Sequence, residues 1–174
     1  MIQYETINSS FFVANQTYCE AIENKLKTLD CECSGSCNCY GYEVLTTLYR
    51  NSLTYKLKFI KTQTPNRFDT SIYAGVEISV TGLNKRISLS FGKSLLRRYF
   101  CSNEIRNMFP RPYYLKYNEL NDSIFLYHLL DRILDNNISK IILKNGILYC
   151  KINEPIVNPL KLITDIELII KNWI

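Results

Sequence analysis

Four cysteines stand within nine positions of the sequence, in the stretch DCECSGSCNCYGYE at residues 30–43. Thiolates bind soft metal ions, and four of them can complete a tetrahedral site for Zn(II) or Cu(I). The predicted metal ligands are Cys31, Cys33, Cys37 and Cys39. Structural zinc sites prefer pairs spaced C-x2-C, whereas these pairs are spaced C-x-C, which is typical of thiolate-rich metal clusters. The spacing therefore makes a metal site one hypothesis among three.

The same four cysteines allow two other interpretations. In the first, Ser34-Gly35-Ser36 forms a turn, and the flanking cysteines form nested disulfides, Cys33 with Cys37 and Cys31 with Cys39. In the second, residues 31–39 form an exposed loop of unligated thiols, since no histidine or fifth cysteine lies nearby to support a metal. The sequence alone does not choose between a metal site, a disulfide ladder and free thiols.

The remaining cysteines, Cys19, Cys101 and Cys150, lie far apart in the sequence and beside apolar residues. We expect them to be small buried hydrophobic side chains. The N-terminal stretch shows no basic leader followed by an apolar run, and no apolar run is long enough to cross a bilayer. The sequence therefore favours a cytoplasmic protein without membrane insertion, in a compartment that keeps thiols reduced.

The positive charge of the chain is concentrated in one segment. Residues 85–116 contain eight basic residues and one acidic residue, whereas the stretches before and after this segment each carry one more acidic than basic residue. Six aromatic residues accompany these cations in residues 92–117, which we call the basic-aromatic segment. Its predicted partner-binding residues are Lys93, Arg97, Arg98, Tyr99, Arg106, Arg111, Tyr113, Tyr114 and Lys116.

This composition is typical of a binding surface. Arginine and tyrosine supply much of the binding energy in protein interfaces, and clustered cations attract acidic surfaces. The basic-aromatic segment is therefore predicted to engage an acidic protein partner. Cations beside exposed rings also suit single-stranded nucleic acid, whose bases stack on the rings, and this is a second hypothesis. Because Pro110 and Pro112 exclude a regular helix or a central strand, the segment is predicted to be a shaped loop.

The sequence contains no complete catalytic motif. Its single histidine, His128, is predicted to lie on a helix, with Asp131 one turn further on. An imidazole oriented by a carboxylate can act as a general base, but the same arrangement is common on solvated helix faces. No nucleophile motif, carboxylate pair or glycine-rich phosphate loop accompanies it. The sequence therefore favours a protein that binds over one that catalyses.

Hydrophobic periodicity predicts the strands that position these residues. Three segments alternate apolar and polar residues and are predicted strands: 53–59, 72–80 and 87–91. Residues 42–50 fit a strand or a helix. Gly75, inside the second strand, indicates a bulge. Asn145-Gly146 lies between two apolar runs and predicts a hairpin, because a type I′ turn needs positive φ at both positions.

Helical spacing of apolar residues predicts three helices. The first begins at the capping box of Thr17, and the last begins at Pro159, behind an Asn158 cap. The three segments are 17–30, 122–135 and 159–173. With the strands they predict a single α+β domain over residues 1–174. Its antiparallel sheet, a meander plus a C-terminal hairpin, carries about three helices packed on one face.

The predicted function is that of a small, soluble, non-catalytic accessory, adaptor or immunity-like protein. It would use the basic-aromatic segment to engage an acidic partner. The alternative is a metal-binding or redox-responsive protein that acts through the four clustered cysteines, and single-stranded nucleic-acid binding is the third hypothesis.

Overall fold

The computed structural model of the chain describes residues 1–5, 9–65, 70–83, 88–117, 138–156 and 158–173. The described strands are β1 (Ile2–Tyr4), β2 (Cys33–Asn38), β3 (Gly41–Arg50), β4 (Leu53–Pro65), β5 (Thr70–Thr81), β6 (Leu89–Lys93), β7 (Tyr113–Tyr117), β8 (Ile138–Lys144) and β9 (Ile147–Ile152). The described helices are α1 (Ser10–Lys27), α2 (Leu95–Tyr99), α3 (Asn103–Met108) and α4 (Pro159–Trp173). The predicted α+β class is therefore confirmed.

These strands form one sheet in the order β1-β2-β3-β4-β5-β9-β8-β6-β7. All neighbours run antiparallel except β1 and β2, which are parallel. The sheet is therefore mixed, and the prediction of a purely antiparallel sheet is wrong at this edge. The reason is that β1 has only three residues, too few for alternation to identify it as a strand. A parallel pair needs a crossover connection, which α1 supplies.

One face of the sheet, which we call the packed face, holds the core. A single row of register partners crosses eight strands on this face, and every member is buried: Cys33, Thr46, Leu57, Ile78, Cys150, Ile141, Phe91 and Leu115. Alternation along each strand sends the intervening residues to the opposite face, which we call the open face. Two cysteines thus serve as small apolar members of the core.

Two long helices cover the packed face. α1 contacts β2 and β3, and α4 contacts α1. The buried stripe of α4 consists of Leu162, Ile163, Ile166, Ile169 and Ile170. The Tyr18 hydroxyl of α1 donates a hydrogen bond to the carbonyl oxygen of Ile156, just before α4, at 2.8 Å. Among the described helices, none is long and apolar enough to span a membrane.

The first helix begins earlier than its capping box predicts. The N-cap is Ser9, whose hydroxyl accepts a hydrogen bond from the Phe12 amide at 3.1 Å. Thr17 lies inside the helix, where its hydroxyl donates to the carbonyl of Val13. The sequence favoured Thr17 because Glu20, three residues later, completes a capping box. Ser9 is an equally good N-cap but has no glutamate three residues later.

Other predictions have mixed outcomes. Residues 42–50 form strand β3, not a helix, and the Asn145-Gly146 hairpin is confirmed, with φ of 52° and 71° at its two turn residues. Gly75 pairs with Ile60 in a regular ladder, so the predicted bulge is wrong. Glycine is needed there because a Cβ would lie only 2.3 Å from the carbonyl oxygen of Ile152. The predicted helix 122–135, with His128, lies outside the described residues.

The basic-aromatic segment is more regular than the predicted loop. It folds into the end of β6, the two short helices α2 and α3, and strand β7. Pro110 and Pro112 lie between α3 and β7, where neither interrupts a helix or a strand. The prolines therefore set the boundary between two elements, and the segment around them keeps regular structure.

Candidate functional site

The structure divides the nine predicted partner-binding residues between exposed and inward positions. The exposed residues are Lys93, Arg97, Tyr99, Arg111 and Lys116. The half-buried residues are Arg98, Arg106 and Tyr113, and Tyr114 is buried. The basic-aromatic segment therefore presents cations and one of its predicted rings to water, while its other members are engaged inside the protein.

Arg98 holds the segment together. Its guanidinium donates hydrogen bonds to the carbonyl oxygens of Pro110 at 3.3 Å and Tyr113 at 2.7 Å, and also to that of Arg106. These carbonyls lie at the end of α3, in the connection and at the start of β7. Because a planar guanidinium can serve several acceptors at once, Arg98 links α2 to the whole stretch that follows it.

Helix α2 exposes its apolar side chains instead of burying them. Leu95, Leu96 and Tyr99 are 68%, 73% and 73% exposed, and Phe100, directly after the helix, is 78% exposed. The Tyr99 and Phe100 rings meet edge to face, with centroids 5.6 Å apart. We call these four residues the α2 apolar surface. No residue of α2 is buried, so packing against the core does not account for its composition.

Arg97 of α2 and Tyr114 of β7 contact each other and form a wall. The helix is capped by Ser94, whose hydroxyl accepts a hydrogen bond from the Arg97 amide at 3.3 Å. The Arg97 guanidinium donates to the Tyr114 hydroxyl at 2.7 Å and lies over its ring. The Tyr114 hydroxyl shares a hydrogen bond with Ser90 at 3.1 Å. The Tyr114 ring crosses Gly92, which has no side chain to displace it, and this places the wall on the open face.

A cleft of about 590 Å³ lies on one side of this wall. Its lining residues are Tyr73, Gly92, Lys93, Ser94, Arg97, Tyr114, Ser139, Lys140, Lys151 and Asn153. We call it the basic cleft, because four of these residues are cationic and none is acidic. Strands β5, β6, β7, β8 and β9 and helix α2 all contribute to it. The cleft is therefore a product of the tertiary fold and not of one sequence segment.

Two of the three lysines of the basic cleft, Lys140 and Lys151, lie side by side on the open face, whereas the Lys93 ammonium lies over the Tyr113 ring. Lys140 and Lys151 are register partners on β8 and β9, and Glu77 is the register partner of Lys151 on β5. The Lys151 ammonium lies 3.4 Å from the Glu77 carboxylate and 4.8 Å from the centroid of the Tyr73 ring. Lys140 lies over the Tyr149 ring at 5.8 Å. Aromatic rings thus hold both ammonium groups on the sheet surface.

The surroundings keep Lys151 charged. The Tyr73 hydroxyl raises the pKa of Lys151 most, and the Glu77 carboxylate adds to the increase, while partial burial opposes it. An ammonium group whose pKa lies above its already high ordinary value stays protonated throughout the physiological range. The basic cleft therefore offers a permanent positive charge at this position.

A second cavity, of about 720 Å³, lies on the other side of the Arg97–Tyr114 wall. Phe100, Cys101, Ile105 and Leu115 give it a largely apolar lining. It lies between the two short helices and β7, and Phe100 of the α2 apolar surface forms part of its rim. An apolar hollow thus adjoins the exposed apolar helix, with Arg97 between this hollow and the basic cleft.

The structure separates the four clustered cysteines. Cys33 and Cys37 lie on the packed face of β2, four residues apart in an extended strand, which corresponds to about 13 Å. Cys31 precedes the strand and Cys39 follows it, so these two lie further apart still. Among the described residues, no three His, Cys, Asp or Glu side chains are grouped to hold a metal ion. The cysteines that the sequence predicted would share one ion are therefore distributed along a strand.

The same geometry is incompatible with the disulfide ladder. A disulfide requires Cα atoms about 4.4–6.8 Å apart, which two residues four apart on one strand cannot reach. Ser34-Gly35-Ser36 continues β2 and is not a turn, and all seven cysteines are unpaired. The prediction of an exposed loop at residues 31–39 is also wrong, because three of its four cysteines are buried. Cysteine here takes the alternate inward positions that a strand gives to apolar side chains.

Burial keeps these thiols protonated. It raises the pKa of Cys31, Cys33 and Cys37, and it raises that of Cys150 to about 12. Since the thiolate is the reactive form and the metal-binding form, the buried cysteines are expected to be chemically inert. Cys39 and Cys101 are only half-buried.

Alkylation of the native protein is therefore expected to be selective. With iodoacetamide at mildly alkaline pH, Cys39 and Cys101 should be modified well before the five buried cysteines, because burial both hides those five thiols from the reagent and raises their pKa. Peptide mass spectrometry over a time course measures the order. The same reagent in urea should modify all seven. If Cys33 or Cys37 reacted as fast as Cys39 in the native protein, the packed-face position of β2 would be contradicted.

Sequence reasoning missed the part of the basic cleft that lies outside residues 92–117. One signal was present: a two-residue turn at Asn145-Gly146 sets the hairpin register, and this register places Lys140 directly opposite Lys151. Two like charges directly opposite each other are unfavourable, and this could have indicated that the hairpin surface is unusual. Nothing in the sequence indicated that Tyr73 of β5 would join them.

Comparison with known proteins adds no functional information. No known protein family, curated protein or solved structure matches this chain. The proposals that follow therefore depend on the geometry of the chain itself.

Proposed function

We propose that this protein is a binding protein that engages an acidic, partly apolar segment of another protein through the α2 apolar surface. The observation that carries the proposal is a helix whose large apolar side chains all face water. Exposed apolar residues on a monomer are usually scattered, whereas a contiguous group rimmed by charge is typical of an interaction site.

Charge selects the kind of partner. Exposed Lys93, Arg97, Arg111 and Lys116 belong to the same segment as α2. Residues 85–116 contain a single acidic residue, so the potential around α2 is positive. An acidic segment would be steered towards this surface, and its apolar residues could then pack on Leu96 and Phe100. Exposed aromatic and aliphatic side chains beside arginine are also the residues from which binding hot spots are built.

Model peptides test both parts of this proposal. A fluorescent peptide of Glu and Leu should bind the full chain in an anisotropy titration, and binding should weaken as salt rises. A peptide of Glu and Ser lacks apolar contacts, and a peptide of Lys and Leu carries the wrong charge, so both should bind more weakly. The variant Leu96→Ser/Phe100→Ser should lose about tenfold or more in affinity for the Glu–Leu peptide.

The matched control removes two exposed apolar residues from another helix. Phe11→Ser/Val13→Ser changes residues of α1 that are 58% and 57% exposed, and it should leave peptide affinity unchanged. Equal loss in both double variants would show non-specific hydrophobic adsorption and would contradict the proposal. Displacement of the Glu–Leu peptide by single-stranded RNA, with tighter binding of the RNA, would favour the nucleic-acid hypothesis instead.

A further inference from the structure

We propose that the basic cleft binds a small molecule carrying phosphate groups, at a site distinct from the α2 apolar surface. Four of its lining residues are cationic and none is acidic. Its volume of about 590 Å³ lies within the range of small-molecule sites, about 300–1,000 Å³. The only carboxylate that we find beside these cations in the described chain is Glu77, which contacts Lys151.

The arrangement of charge favours a bound anion. Lys140 and Lys151 are directly opposite each other on neighbouring strands, a position in which like charges repel. Glu77 offsets the charge of Lys151 but lies on the far side of it from Lys140. Arg97 adds a third positive charge from across the cleft. An anion between these groups would remove the repulsion and would gain charge-assisted hydrogen bonds from each of them.

The spread of the cations favours phosphate over a single carboxylate. Lys151, Lys140 and Gly92 lie on three consecutive strands, each about 4.8 Å from the next. Strand β7 lies beyond them, and its Tyr114 hydroxyl accepts the hydrogen bond from Arg97 of α2. The donors thus span about 10 Å or more, which exceeds the width of one carboxylate. A phosphate group offers three acceptor oxygens, and two linked phosphates would reach cations on both sides of the cleft.

Two backbone features shape the cleft for a ligand. β8 carries a register shift between Ile138 and Lys140, so Ser139 is an extra residue relative to β9, with its hydroxyl donating to the Lys151 carbonyl at 3.0 Å. Such bulges often redirect side chains next to binding sites. On the other side, Gly92 has no side chain, and the Tyr114 ring lies over it and borders the cleft. Lys140 and Arg97 both line the space that remains.

Calorimetric titration of the full chain with inorganic pyrophosphate tests the proposal. At constant ionic strength, pyrophosphate should bind about tenfold more tightly than inorganic phosphate and should also bind more tightly than malonate, a dianion without phosphate. The variant Lys140→Gln/Lys151→Gln should weaken pyrophosphate binding by about ten- to hundredfold, as expected for lost hydrogen bonds to charged groups. Pyrophosphate should also raise the urea midpoint of the wild-type chain but not that of the variant.

The matched control is Lys56→Gln/Lys144→Gln. It removes two exposed lysines on strands β4 and β8, and neither residue lines the cleft. This control and the α2 variant Leu96→Ser/Phe100→Ser should both bind pyrophosphate as the wild type does, so failure of the peptide proposal would leave this one standing. Three results would overturn the proposal: no binding of pyrophosphate at millimolar concentration, equal binding of malonate, or an equal loss in the Lys56/Lys144 control.

Discussion

The variant Gly35→Ala is expected to lower the free energy of unfolding by about 3–5 kcal/mol. Gly35 lies in the middle of β2 with φ of +145°, a conformation that residues with a side chain rarely adopt. A Cβ added there would lie 1.9 Å from the carbonyl oxygen of Glu43 on the neighbouring strand. Because the obstacle is backbone in a paired strand, it cannot move aside as a flexible side chain would. Urea unfolding followed by circular dichroism measures the change.

The adjacent Ser36→Ala is the matched control. Ser36 is exposed on the open face of the same strand, so its replacement should change stability by no more than about 0.5 kcal/mol. A Gly35→Ala variant as stable as the wild type would mean that β2 does not pair with β3 in the register described. The result matters for the cysteines, since the same register places Cys33 and Cys37 in the core.

Local pattern predicted those elements whose signal is contained in their own sequence. The β8–β9 hairpin was predictable because the Asn145-Gly146 turn fixes its register, and α4 was predictable because its apolar stripe follows an Asn158 cap. Strands β4 and β5 show clear alternation and were both predicted. The predicted segment 72–80 lies within two residues of the bounds of β5, whereas 53–59 begins with β4 but ends six residues too early. In each case the residues that decide the structure are neighbours along the chain.

The structure of the cysteine stretch was not predicted, because cysteine can be either a metal ligand or a small buried side chain. In Cys33–Cys37 the pattern C-S-G-S-C alternates apolar and polar residues, as a half-buried strand does. Metal ligation was one of three hypotheses for these thiols, although free cysteine is also among the most buried residue types. Glycine and serine between them suggested a turn. Only pairing with β3 and cover by α1 convert this stretch into a strand, and both partners are distant in the sequence.

The basic cleft could not be predicted from composition, since its cations come from separate segments. The charge excess of residues 85–116 indicated Arg97, but Lys140 and Lys151 lie in a part of the chain with no positive excess. The strand order places β8 and β9 beside β6, and this neighbourhood brings the three cations to one cleft. Arg97 therefore borders both the basic cleft and the apolar cavity beside α2.

Arg98 lies beside the α2 apolar surface, but its hydrogen bonds support the segment around it. Its replacement is the second change with a large expected effect. Arg98→Met should lower the free energy of unfolding by about 2–4 kcal/mol. The substitution leaves the carbonyls of Arg106, Pro110 and Tyr113 without their common donor. Urea unfolding measures the loss, and limited proteolysis should cleave between α2 and β7 sooner than in the wild type.

Two further variants separate geometry from charge. Arg98→Lys keeps the positive charge but cannot serve three carbonyls with one planar group, so it should lose most of the same stability. Arg111→Met removes an exposed arginine from the same segment and should leave stability nearly unchanged. If Arg98→Met kept full stability and lost only its affinity for the Glu–Leu peptide, Arg98 would be a direct partner contact, as its sequence context predicted. Because its hydrogen bonds are all directed inward, we expect the opposite: peptide binding falls only to the extent that α2 loses its support.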